Sequence, residues 1–204
     1  MTRKEINANG YPYIDLGLPS DTLWATCNVG ASKPSECGMY FQWGDSKGYT
    51  KEQLGKDKMF TWSDYKFRRD GSFSNFSKYT TAGKSLELAD DAANANMGGD
   101  WHMPTPEQCQ ELIDNTTSEW TTQDGVNGRL FTSKKDFSKS IFIPAAGDAW
   151  DGSLSDRGAY GSVWSSMLSA SNVNYGQSLY FYSDSAYLNY GNRINGFSVR
   201  GVIG

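Results

Sequence analysis

Histidine is almost absent from this chain of 204 residues, which holds only His102. A Ser-His-Asp or Cys-His catalytic pair would have to be built on that residue, and no Gly-x-Ser-x-Gly or other nucleophile-bearing turn accompanies it. His102 lies in Trp101-His102-Met103-Pro104-Thr105, hard against a helix start, and reads as structural. The same count excludes a zinc site built on histidines. Cysteine is scarce as well. Cys27, Cys37 and Cys109 are odd in number and follow no metal-ligand spacing. Cys109 falls on the apolar face of a predicted helix and Cys27 alternates with Leu23 and Ala25, so these two read as small core hydrophobes and all three as reduced thiols.

Positive charge is in deficit, with 19 Lys and Arg against 23 Asp and Glu. That opposes a nucleic-acid partner, which needs a concentrated excess of cations. No apolar run approaches the roughly 18 residues of a membrane-spanning helix, so membrane insertion is not expected. The polar start Met1 to Gly10 has no apolar h-region, and no signal peptide is expected in this chain. No glycine loop with a lysine is present to cradle phosphates. Asp148, Asp151 and Asp156 share one Gly-rich loop and Asp90 and Asp91 are adjacent, but neither spacing matches a calcium loop. They read as solvated carboxylates or helix-terminus partners, and neither a metal nor a cofactor is expected.

The most telling scarcity is local. The last 46 residues carry no Lys and no Glu, and only Asp184, Arg193 and Arg200 are charged. Tyr, Ser, Gly and Asn supply 26 of those 46. This is the composition of an antibody-like contact surface, where tyrosine gives rigid contact area and the small polar residues give adaptable hydrogen bonds. It is equally that of a Ser- and Asn-rich loop region in an ordinary β-rich protein.

What the chain does hold is aromatic residues, at 14%, and 22 glycines, which suit many short elements joined by tight turns. Residues 1–10 read as a flexible tail. Ile14, Leu16 and Leu18, then Leu23, Ala25 and Cys27, alternate on either side of Leu18-Pro19-Ser20-Asp21 and predict a hairpin. Met39 to Trp43 is strand-like. Residues 44–82 form a long irregular region pinned by Tyr49, Phe60, Trp62, Tyr65, Phe67, Phe73, Phe76 and Tyr79. Helices are predicted over Ser85 to Met97, ending at Gly98-Gly99, and after Thr105-Pro106-Glu107-Gln108, a capping box with proline at the first helical position. Ser140 to Pro144 is a buried strand and Ala145 to Gly158 a Gly/Asp loop. In Leu179-Tyr180-Phe181-Tyr182, inward Leu179 and Phe181 leave Tyr180 and Tyr182 exposed. Phe197 to Val202 makes a closing strand, with polar loops at Ser169 to Gln177 and Ser183 to Asn195. Trp164, Leu179, Phe181, Phe197 and Val199 are assigned to the core. The fold class is α+β, two helices packed on small twisted antiparallel sheets in a single domain over 11–204.

Several motifs in series carry a family resemblance. Tyr13-Ile14-Asp15-Leu16-Gly17-Leu18-Pro19-Ser20 running into Leu23-Trp24-Ala25-Thr26-Cys27-Asn28-Val29-Gly30-Ala31 resembles the opening of the Fibrobacter succinogenes major paralogous domain, common in gut Bacteroidetes and their phages. Asp90-Asp91-Ala92-Ala93, Trp101 to Thr105, Ile141 to Gly147, Trp164-Ser165-Ser166 and Gly196 to Arg200 extend the resemblance over nearly the whole chain. It implies a C-type-lectin-like fold of the formylglycine-generating-enzyme type. It is also similar to the variable proteins of diversity-generating retroelements, in which the stretch between a Trp-Ser-Ser motif and the last strand is rewritten by adenine-directed mutagenesis. Rewritten asparagine codons reach Tyr, Ser, Asp, Gly, Ala, Val, Ile, Leu or Arg but never Lys, Glu, Gln, Met or Trp, which would account for the missing Lys and Glu. Met167 and Gln177 depart from that set and are expected to be fixed, or to come from another codon. The enzymes of this fold work with a C-terminal cysteine pair, and no cysteine follows Cys109; the calcium-coordinating Trp-Asn-Asp of sugar-binding C-type lectins is absent too.

Residues 159–204 are thus the expected variable region of a non-enzymatic protein that recognises a protein or glycan on a target cell surface, from a virion tail or a bacterial cell surface. Its ligand-binding positions are expected at Val163, Leu168, Asn172, Asn174, Tyr175, Ser178, Tyr180, Tyr182, Asp184, Tyr187, Asn189, Tyr190, Asn192 and Ile194. Alternation supports Tyr180 and Tyr182 directly; the others rest on loop placement and on the resemblance. The alternative is a structural or adhesin module whose Tyr-rich face packs against a partner domain or subunit. A glycan hydrolase would need two carboxylates facing each other across a cleft, with Asp148, Asp151 and Asp156 the clustered candidates.

Overall fold

The computed structural model describes residues 7–70, 73 and 75–204. It is α+β, with few helices and small antiparallel sheets. Strand β1 (Asn7–Ala8) pairs with β2 (Tyr11–Asp15) across Asn9-Gly10, whose φ angles of 50° and 82° are those of an Asn-Gly hairpin turn. The described part of the expected tail is therefore a hairpin, and residues 1–6 lie outside the described residues. The predicted hairpin follows, with β2 antiparallel to β3 (Leu23–Ala25), Ile14 opposite Trp24, and Asp21 N–H donating to Leu18 O at 3.0 Å. Leu16, Leu18 and Trp24 are buried, whereas Cys27 is only half-buried and is no core residue.

Met39 to Trp43 forms no ladder and makes single bridges, Tyr40 to Tyr49 and Phe41 to Phe197. The following region is irregular and pinned as its aromatics predict. Tyr49, Phe60, Tyr65, Phe67, Phe76 and Tyr79 are buried, Trp62 is half-buried and Phe73 is exposed. The Asp64 carboxylate organises its first turn by accepting from the backbone N–H groups of Met59, Phe60 and Thr61.

Helix α1 (Ala92–Met97) is shorter than the predicted Ser85 to Met97. Asp91 caps it through Asn94 N–H at 2.9 Å. Upstream, tertiary contacts outweigh helix propensity: Leu86 N–H donates to Ser166 O, and the Asp90 carboxylate accepts from Lys66, Lys78 and the Tyr79 hydroxyl. Gly98, at φ 69°, ends the helix. Helix α2 (Pro106–Asn115) carries its predicted capping box, Gln108 N–H to Thr105 Oγ1 at 3.2 Å and Thr105 N–H to Gln108 Oε1 at 2.9 Å. His102 is structural, its ring nitrogens lying 2.9 and 3.1 Å from Met103 O and Gly204 O.

A three-stranded sheet comes next: β4 (Thr116–Gln123), β5 (Val126–Ser133) and the predicted buried strand β6 (Ser140–Pro144). The Gly/Asp loop over Ala145 to Gly158 is in part a hairpin, β7 (Asp148–Trp150) with β8 (Ser153–Ser155), turned by Asp151-Gly152 at φ 47° and 72°. The tail then folds as β9 (Tyr160–Leu168), β10 (Tyr175–Tyr182) and β11 (Ala186–Asn192), in the order β11-β10-β9. Both predicted polar loops are thus shorter, because β10 begins at Tyr175 and β11 occupies most of Ser183 to Asn195. The closing strand reduces to β12 (Val202–Ile203), paired with β3, since Phe197 and Ser198 make only single bridges.

One core cluster gathers Trp43, Trp101, Trp164, Phe197 and Val199, with Trp164 stacked on Phe197 at 4.1 Å. A second joins Trp24, Cys109, Leu112 and Phe131 to Leu179 and Phe181, and a third, smaller one holds Tyr40, Tyr49, Phe60 and Ala149. Arg200, fully buried, donates to Ala25 O, Thr26 O, Phe142 O and Asn28 Oδ1, tying the last segment to the first hairpin and to β6. Among the described residues no helix is long and apolar enough to cross a membrane.

Candidate functional site

The register of the β9–β11 sheet decides which tail residues share a face, because directly opposed residues of an antiparallel pair point the same way. Tyr180 stands opposite Tyr187 on one side and Ser162 on the other; Tyr182 stands opposite Tyr160, and Ser178 opposite Asn189. Four tyrosines from three strands therefore converge. Ring centroids lie 5.2 Å apart for Tyr160 and Tyr180, 5.3 Å for Tyr180 and Tyr187, 5.9 Å for Tyr180 and Tyr182, and 6.3 Å for Tyr182 and Tyr187. Tyr180 and Tyr182 are half-buried instead of fully exposed, because each ring leans on its neighbours; Tyr187 is 42% exposed.

Beside these rings runs a groove of about 240 Å³, lined among others by Asp148, Ser162, Ser178 and Asn189. The Tyr160 hydroxyl donates to Asp148 Oδ1, and Asn195 Nδ2 donates to Asp148 Oδ2 at 3.2 Å. Burial holds the Asp148 carboxyl above the usual carboxylate range in spite of the hydroxyl donated to it. Burial also raises the Tyr160 phenol, with the adjacent carboxylate adding to the effect, and raises the Tyr180 phenol, with its tyrosine neighbours adding. These phenols stay protonated and serve as neutral hydrogen-bonding groups.

Three predicted site residues lie in the core: Val163 packs inward opposite Leu179, and Leu168 and Ile194 belong to the Trp43–Trp164 cluster; Ser178 lines the groove but is buried at its floor. Apolar side chains here are claimed by the core and are not displayed. Asn172 and Asn174 lie at an open cleft of about 550 Å³, whose other walls include Trp62 and Trp150; Tyr175 and Asn192 line both this cleft and the groove. Asp184 is exposed in the β10–β11 turn, where it accepts from Ser183 Oγ at 2.8 Å. Tyr190, 55% exposed, pairs with Gln177 and is no part of the ring cluster.

The sequence left Tyr160 and Trp150 unassigned to a site, gave Trp62 only an anchoring role, and gave Asp148 the reading of a solvated carboxylate or a hydrolase candidate. Tyr160 was legible, since the alternation Tyr160, Ser162, Trp164 repeats that of β10. The Asp151-Gly152 dipeptide, a hairpin signal, would have lifted Asp148 and Trp150 out of a loop. As for the clustered carboxylates, Asp151 and Asp156 hold turns at φ 47° and 54°, and Asp148 is committed to Tyr160 and Asn195. Among the described residues no three of His, Cys, Asp or Glu are grouped to hold a metal ion.

No protein-family model matches this chain, and no curated protein or solved structure matches it significantly.

Proposed function

We propose that this chain is a non-enzymatic binding protein that uses the outer face of the β9–β11 sheet to recognise a protein or glycan on a cell surface. The observation that carries the reading is the convergence of Tyr160, Tyr180, Tyr182 and Tyr187 from three strands onto one face. Large amphipathic rings of this kind anchor interfaces, with an apolar body for burial and a hydroxyl for a polar partner. The rings sit on a sheet whose opposite face is packed by the buried Leu179 and Phe181, while the stacked and buried Trp164 and Phe197 close the core on the tyrosines' own side, beyond Ser162 and Ser178. Such a framework tolerates changes at its outer positions, because their side chains are not part of the packed core.

The sequence motifs support a C-type-lectin-like scaffold of the formylglycine-generating-enzyme type, with a variable region between Trp164-Ser165-Ser166 and Gly196 to Arg200, displayed on a virion tail or a bacterial surface. That part of the proposal predicts a reverse transcriptase gene nearby and an adenine-rich near copy of the tail's coding sequence. Sequencing the neighbourhood and finding neither would remove it.

The binding reading is tested by replacing Tyr180, Tyr182 and Tyr187 together by alanine and measuring labelled protein on a panel of intact gut bacterial cells. Binding is expected to fall at least tenfold, while the fold, followed by circular dichroism, is retained. Unchanged binding on cells that the parent chain recognises would overturn the assignment. An assembly in solution that covers these tyrosines would favour the packing alternative.

A further inference from the structure

The cleft beside the tyrosine face differs from it in chemistry. Its aromatic walls come from three separate segments, Trp62 and Phe73 of the irregular region, Trp150 of the β7–β8 hairpin and Tyr175 at the start of β10. Its polar groups are the side-chain amides of Asn172, Asn174 and Asn192 with the hydroxyl of Thr61, and among the described residues no charged side chain lines it. We infer that this cleft is a calcium-independent binding site for a neutral saccharide, which lays a pyranose ring against the indole of Trp150 and turns its hydroxyls to the three asparagines.

Each part of the ligand is matched by something in the cleft. The C–H face of a pyranose is apolar and weakly positive, and it suits the negative face of an aromatic ring. Hydroxyls both donate and accept, and an asparagine amide offers both complementary groups. An anionic ligand would be desolvated there without a counter-charge, which is costly. With no carboxylate in the lining, the cleft has nothing to hold a bridging cation.

Trp150 is 56% exposed, yet its backbone is held firmly. Ala149 and Gly196 exchange N–H···O bonds of 2.9 and 2.8 Å, and Gly152 N–H donates to Met59 O at 2.7 Å. A large indole kept in water on a braced hairpin is pre-organised for a ring to stack on it. The volume of about 550 Å³ fits a small ligand, within the roughly 300–1,000 Å³ range of such sites, whereas a protein partner would need on the order of 800 Å² of contact.

This inference rests on the reading of the tail as a binding region and names the ligand class for one part of it. The test is an array of immobilised neutral and anionic oligosaccharides, followed by titration of the strongest neutral hit in solution by calorimetry. A neutral oligosaccharide is expected to bind equally with and without EDTA. Trp150→Ala is expected to weaken that binding about tenfold, Trp150→Phe less, and Tyr187→Ala hardly at all. No neutral hit, a preference for anionic sugars, loss of binding with EDTA, or indifference to Trp150→Ala would each overturn the saccharide site. Cell binding that is lost with the tyrosine triple variant but insensitive to Trp150→Ala and to competing sugar would overturn it while leaving the recognition face standing. Loss of sugar binding with Trp150→Ala together with unaltered cell binding in the tyrosine triple variant would have the opposite meaning.

Discussion

Tyr180 and Tyr187 stand directly opposite each other across the β10–β11 ladder, with ring centroids 5.3 Å apart. Contact at this distance couples the two side chains energetically. Alanine replacements at the two positions are expected to be non-additive by about 0.5–1 kcal/mol in a double-mutant cycle read by denaturant unfolding. Tyr190→Ala, outside the ring cluster, should add to Tyr180→Ala without such a coupling. Simple additivity for the first pair would mean that the rings do not pack in solution.

The Asp148 and Tyr160 pair is open to a spectroscopic test. In Asp148→Asn the phenol loses the carboxylate that adds to the effect of burial, so ultraviolet titration should show one tyrosine ionising at lower pH than in the parent chain. The carboxyl itself is raised in the folded state. Its contribution to stability is therefore full below the ordinary Asp value of about 3.9 and is lost as pH rises through the raised one. Asp148→Asn is accordingly expected to be neutral or slightly stabilising at pH 7. A loss of more than about 1 kcal/mol there would show that the charge is needed.

Asp90 has the opposite sign. Burial works against its charge, but hydrogen bonds from Lys66, Lys78 and Tyr79 outweigh burial and hold the carboxyl below the usual range. Its stabilisation is present above about pH 3.9 and disappears as pH falls through the lowered value. Asp90→Asn should cost about 2 kcal/mol at pH 7, and the difference from the parent chain should shrink towards pH 2 in denaturant melts. A difference independent of pH would mean that the ammonium groups contribute nothing.

Gly191 lies inside the tail and yet has no room to vary. A Cβ there would come within 2.3 Å of the Phe197 ring and 2.9 Å of Trp164. Gly191→Ala is expected to lower stability by about 2 kcal/mol or more through overpacking. Gly125→Ala meets no atom within 4 Å and strains only a positive φ of 78°, so a loss of about 1 kcal/mol is expected. Thermal unfolding of the two variants should rank them in that order.

Elements with a complete local signal were readable from the sequence alone. The capping box of Thr105 and Gln108, the run Ile141 to Pro144 and the alternation around Leu179 and Phe181 depend on neighbouring residues, and all took the form they predict. Ser85 to Met97 did not, because Leu86 is drawn to Ser166 and Asp90 to two lysines far along the chain. Strand β11 has little intrinsic strand character in Ala186-Tyr187-Leu188-Asn189 and exists through its pairing with β10. For the site, the polar and aromatic positions other than the buried Ser178 were legible as surface, whereas Val163, Leu168 and Ile194 fell to the core because an apolar side chain in a β-rich tail has a better place inside. The contribution of Trp62 depends on long-range packing that no local pattern encodes, and that of Trp150 needs, beyond the local Asp151-Gly152 turn, the docking of Ala149 on Gly196.

The sheet order β1-β2-β3-β12 places the first and last described strands of the chain only three strand spacings apart, roughly 14 Å. A short linker from Ile203 to Asn7 would therefore join these two strands, and the chain would be reopened at the tip of the β4–β5 hairpin, where Asp124 and Gly125 turn at φ 49° and 78°. Such a circular permutant would carry Trp164 to Arg200 in mid-chain, giving a scaffold whose recognition segment can be exchanged as an internal cassette.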